Sequence, residues 1–67
     1  MTREEAEKKC YELIHRALRI AREYDPEIHH VSAFVIDDGP GDCCTSMFAY
    51  KHGDVTDVRV LNYCEIE

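Results

Sequence analysis

Residues 20 to 36 read IAREYDPEIHHVSAFVI, and the switch inside this stretch decides the fold. Up to Tyr24 the apolar residues keep a helical spacing. Ala6, Cys10, Leu13, Ala17, Ile20 and Tyr24 form one stripe, and Ile14, Leu18 and Ala21 widen it. Asp25-Pro26 then stops the helix, because the residue before a proline is pushed out of the α region. From Ile28 to Ile36 the run IHHVSAFVI reads as a strand. The helix is therefore placed over about residues 2–24. At its start the Thr2 hydroxyl accepts a free backbone N–H of the first turn, and Glu5 completes a capping box. Glu4, Glu5 and Glu7 sit near the positive end of the macrodipole; Arg16, Arg19 and Arg22 lie toward the negative end.

Two more strand-like runs follow. DDGPGD, residues 37–42, is a turn, with Asp37, Asp38 and Asp42 as turn formers and too few ligands at EF-hand spacing for calcium. The second run is CCTSMFAYK, residues 43–51. His52-Gly53-Asp54 reads as a tight hairpin turn, and the third run covers residues 55–66. In that last run Asp57, Arg59 and Glu65 share one parity. Thr56, Val58, Val60, Asn62, Cys64 and Ile66 share the other, which is predicted to face the helix. The expected fold class is α+β: one N-terminal helix on a three-stranded antiparallel meander, α-β-β-β. A single domain, residues 1–67, is expected, without repeat or linker.

A chain of 67 residues buries only about 60% of the surface that its unfolded state exposes. Small domains of this size commonly add disulfides, a metal or a partner subunit. The net charge of −6 repels phosphate backbones, so no nucleic-acid partner is expected. No run approaches the ~20 apolar residues of a membrane span, and no leading apolar segment marks a signal peptide. No membrane partner is expected, and localisation stays unassigned.

The four cysteines are expected to gather at one end of the domain. Cys10 lies ~21 Å up the helix from Tyr24 at about 1.5 Å per residue. The first strand returns along it and draws level near Val35 and Ile36, just before Cys43 and Cys44. With Gly53-Asp54 as a two-residue turn, His52 faces Val55 and Cys43 falls opposite Cys64, inside disulfide range. Cys10 and Cys44 would then form a second bridge, given a β-bulge at the start of the second strand. A longer turn gives Cys10–Cys43 with Cys44–Cys64. Cys10, Cys43, Cys44 and Cys64 around one zinc ion are the alternative, although no C-x2-C knuckle is present.

No catalytic motif is visible, and no enzymatic activity or cofactor is expected. His29, His30 and His52 are placed at the other end of the sheet, near Asp25 and Asp54. Without an HxxxH helix pair they are read as side chains without a metal. A pocket or interface is suggested by the sheet. Small or polar Ser32, Ala33, Thr45, Ser46 and Ala49 interleave with Phe34, Met47, Phe48 and Tyr50, and Leu61 and Tyr63 add large side chains. Apolar residues lie on both sheet faces, whereas one helix covers one face, so a homodimer through a sheet face is the expected self-association. A small-molecule ligand is the other occupant such a surface suits.

The opening TREEAEKKCYELIHRALRIAREYD, with its capping residue, Glu-rich first turn and single clean stripe, resembles the helices of computationally designed mini-proteins. The single helix, the meander, the short turns and the added cysteines look the same. The resemblance implies a non-catalytic, disulfide-stabilised scaffold with no natural biochemical role. The alternatives are a binding module, using a helix–sheet pocket or sheet face, and a zinc-binding mini-domain.

Overall fold

The sheet is reached through one tightly tied corner. In the computed structural model, which describes residues 1–41 and 43–66 and of Ile66 only the backbone, helix α1 runs from Arg3–Tyr24. Thr2 caps it as expected: its Oγ1 accepts the Glu5 N–H at 3.2 Å. At the other end Asp25 leaves the helix in an extended conformation while its N–H still bonds the Ala21 carbonyl at 3.0 Å. Asp25 Oδ1 accepts the Glu27 N–H at 3.0 Å, carrying the chain round Pro26. The Arg22 guanidinium then donates to the Ile28 carbonyl at 2.9 Å, which fixes the first strand to the end of the helix.

Strands β1 (Ile28–Asp37), β2 (Cys43–Lys51) and β3 (Val58–Ile66) form one antiparallel sheet in the order β1-β2-β3. The fold is the expected α+β, α-β-β-β arrangement. Gly39 and Gly41 supply the positive φ angles, 128° and 84°, of the β1–β2 turn, and Asp37 Oδ1 accepts the Gly39 N–H at 3.3 Å. The third turn former, Asp42, lies outside the described residues.

The β2–β3 connection departs from the sequence expectation. β3 begins at Val58 rather than Val55, so residues 52–57 form a loop instead of a tight hairpin turn. Gly53 is folded under this loop. A Cβ there would lie 2.4 Å from the Thr56 carbonyl oxygen and 2.7 Å from Val58 Cγ2, so no other residue fits without moving the loop.

The longer loop changes the register. Cys64 stands opposite Ser46, not Cys43. The displacement of three residues is ~10 Å along the strand at about 3.3 Å per residue, beyond the reach of a Cys43–Cys64 bridge. Cys10, Cys43, Cys44 and Cys64 are all free thiols here, so neither expected pairing is formed. The Cys10–Cys44 pairing is not formed: the helix lies along β1 on the inner face, whereas Cys44 shares the outer face with Ser46 and Phe48.

Two bulges flank Tyr50. Ile28 pairs with Lys51 and His30 with Tyr50, so His29 is the extra residue on β1. Ala49 pairs with Leu61 and Tyr50 with Arg59, so Val60 is the extra residue on β3. The Val60 bulge reverses the strand's alternation. Leu61 and Tyr63 share the helix-side face with Val31, Met47 and Ala49, while Asn62 and Cys64 share the outer face. The expected inward set therefore holds at Val58, which pairs with Lys51, and at Val60, but not at Asn62 and Cys64; Thr56 lies in the loop, and the Ile66 side chain lies outside the described residues.

The core is very small. Ala21, Ile28 and Ala49 are buried, with Leu18, Val31, Val60 and Leu61 packed around them. Ile28 is the one large side chain among the described residues that is fully buried. The radius of gyration is 14.4 Å, against ~11 Å for a compact domain of this length.

Candidate functional site

The helix runs over β1 and buries only Ala21 of its own residues. The apolar stripe that should have been covered stays largely open. Leu13 is 64% exposed, Ile14 66%, Ile20 56% and Tyr24 72%. The reason is geometric. A helix seated on an edge strand cannot also cover β2 and β3, whose helix-side residues then face a gap.

That gap is an apolar cleft of about 330 Å³ between helix and sheet. Ile20, Ala21 and Tyr24 form one wall; Val31, Met47 and Leu61 form the other. A second hollow of about 430 Å³ continues along the same helix face toward its start, where Leu13, Ile14 and Ala17 face Val31 to Ala33; it shares Ala17 and Val31 with the cleft. The cleft walls offer almost no polar groups that would orient a small ligand. A third hollow, bounded by Lys9, Glu12, Leu13, Arg16 and Arg19, is formed by the side chains of the helix alone.

The six residues expected to make a pocket or interface do not act together. Met47, Leu61 and Tyr63 are on the helix side, where the Tyr63 hydroxyl bonds the Glu65 carboxylate. Phe34, Phe48 and Tyr50 share the outer face. There Arg59 roofs the aromatic pair, its guanidinium carbon 4.6 Å from the Phe48 ring centre and 5.8 Å from that of Tyr50. Ser46 is buried on the same face, and its hydroxyl donates to Cys64 Sγ at 3.5 Å. The outer face therefore has a partial cover of its own, and the helix-side cleft does not.

The expected histidine cluster is half right. His29 and His52 meet, with their rings stacked 3.7 Å apart and only 7° from parallel. His30 turns instead to Tyr50, ring centres 5.3 Å apart. The nearby acid is neither Asp25 nor Asp54 but Asp57. Its Oδ1 lies 3.3 Å from His29 Nε2 and 3.5 Å from His52 Nδ1. Asp25 and Glu27 are engaged by Lys51 Nζ at 3.6 and 3.5 Å. Asp57 was missed because a tight turn placed it on a strand. A six-residue loop brings it back beside His52.

The four cysteines do not form the alternative zinc centre. Among the described residues, the His, Cys, Asp and Glu side chains that converge on a common point are His29, His52 and Asp57. No described helix is long and apolar enough to cross a membrane. No protein-family model, no curated protein and no solved structure matches the chain.

Proposed function

We propose that this chain is a non-catalytic, self-associating scaffold module whose helix–sheet cleft is closed by a second copy. The observation that carries the reading is surface area. The single chain exposes 5632 Å², whereas a folded monomer of 7.8 kDa should expose ~4,400 Å². The excess is roughly 1,200 Å² per copy, or ~2,400 Å² for a pair, within the range of obligate homodimers.

Chemistry and charge favour the same occupant. The surplus surface includes Leu13, Ile14, Ile20 and Tyr24 on the helix, beside the open helix-side faces of Met47 and Leu61. The helix of one copy can lie in the cleft of the other while its own cleft receives the partner's helix, a two-fold exchange. Residues 1–24 carry six basic and five acidic side chains; residues 25–67 carry two basic and nine acidic. A near-neutral helix with Arg16, Arg19 and Arg22 in its second half thus meets a strongly acidic sheet. A small apolar molecule is the competing occupant, favoured by the cleft volume but not by its lack of polar anchors. The resemblance to designed mini-proteins supports a scaffold without catalytic machinery.

Thermal melts of the reduced protein at concentrations a hundredfold apart test this reading. For a folded dimer melting to unfolded monomers, that change shifts the equilibrium by about 2.7 kcal/mol, so the midpoint is expected to rise by roughly 10 °C. A midpoint independent of concentration contradicts self-association.

A further inference from the structure

We propose that His29, His52 and Asp57 form a binding site for one divalent transition-metal ion of the zinc class. The three candidate ligand atoms, two imidazole nitrogens and one carboxylate oxygen, all lie within 4.8 Å of one another. In a tetrahedral zinc site with ligands at about 2.0–2.1 Å, neighbouring ligand atoms are ~3.3 Å apart. The two distances from Asp57 Oδ1, 3.3 Å and 3.5 Å, already match that edge. The two rings are stacked within 7° of parallel, and since an imidazole lone pair lies in its ring plane, both rings must turn out of the stack for their nitrogens to converge on one ion.

The donor set selects the class of ion. Two imidazoles and one carboxylate suit zinc, copper, nickel or cobalt; magnesium and calcium prefer all-oxygen shells. Three protein ligands leave one tetrahedral position for water, and the site opens to solvent through the exposed His52. The surroundings favour a cation as well, since Asp54 belongs to the same loop and the chain carries a net charge of −6.

Two local departures from regular structure serve this juxtaposition. His29 is the bulge residue of β1, removed from the strand's alternation; a bulge of this kind re-aims a side chain. Gly53 lets the loop fold back until Asp57 returns beside His52. An ordinary two-residue hairpin would have continued the ladder and separated these groups. As a simple exposed ion pair the arrangement contributes little to stability, so the bulge and the loop have no evident packing return.

The test is a cobalt(II) titration of the reduced protein, read by visible absorption and by calorimetry. The expected result is one equivalent per chain, with the visible bands of nitrogen and oxygen ligation and without the intense near-ultraviolet thiolate-to-cobalt band. His52→Ala changes a side chain that is 78% exposed, so it leaves the fold intact and is expected to lower affinity at least tenfold. Asp57→Asn is expected to lower it similarly, whereas His30→Ala leaves it unchanged. The proposal is overturned by an absence of saturable binding, by affinity insensitive to His52→Ala, or by a thiolate band that accounts for all the bound metal. The dimer has a separate readout, so the two proposals stand or fall independently.

Discussion

Ile20→Glu is expected to leave each chain folded and to weaken association by at least a hundredfold. In a single copy Ile20 is 56% exposed, and an exposed substitution on a helix surface changes stability by only about 0.5 kcal/mol. Glutamate is also a good helix former, and Arg16 lies one turn before it. In the proposed pair the same position is covered in both copies. Two carboxylates would then lose water without a built partner, and each such burial costs several kcal/mol. Even ~3 kcal/mol in total corresponds to more than a hundredfold in the dissociation constant. Size-exclusion chromatography with light scattering reads the effect directly. A variant that elutes at the wild-type mass would place Ile20 outside the interface.

Ile28→Ala is expected to lower the melting midpoint by more than about 10 °C. Ile28 is only 1% exposed and bridges the helix end to the sheet. Its buried neighbours, Ala21 and Ala49, have nothing longer than a methyl group to move into the space. Large-to-alanine changes in such sites cost ~2–5 kcal/mol. A domain of this length has a total stability of roughly 3–10 kcal/mol. Urea denaturation should show a lower midpoint with an unchanged slope. A variant as stable as the wild type would show that Ile28 is not the centre of the core.

The helix and its stop were legible because their causes are local. Thr2 and the Asp25-Pro26 pair act within a few residues of themselves, and the structure places the Thr2 cap and the helix end at Tyr24 as read. The fold class followed, since one helical period and three strand-like runs leave few arrangements. The register was not legible, because it depends on Gly53 packing beneath Thr56 and Val58, a contact between residues that a tight turn would have kept apart. That error moved Cys64 away from Cys43 and with it the expected Cys43–Cys64 pairing. The bulges at His29 and Val60 were equally hidden, as neither residue type announces one. With them went the true facing of Leu61 and Tyr63, and the place of Asp57 beside the two histidines. The stripe on the helix reads as one buried side, yet in the single chain Ala21 is the helix residue that is buried. Its spacing carries no information on whether this chain or another one buries it.

Sedimentation equilibrium of the reduced protein, over roughly a hundredfold range of concentration, is the direct measurement of whether the cleft is closed by a second copy. The expected result is a mass approaching twice 7.8 kDa at the upper concentrations, falling toward the single-chain value on dilution or remaining dimeric throughout. A constant mass of 7.8 kDa at every concentration would contradict the account and leave the exposed stripe of Leu13, Ile14, Ile20 and Tyr24 without the partner proposed for it.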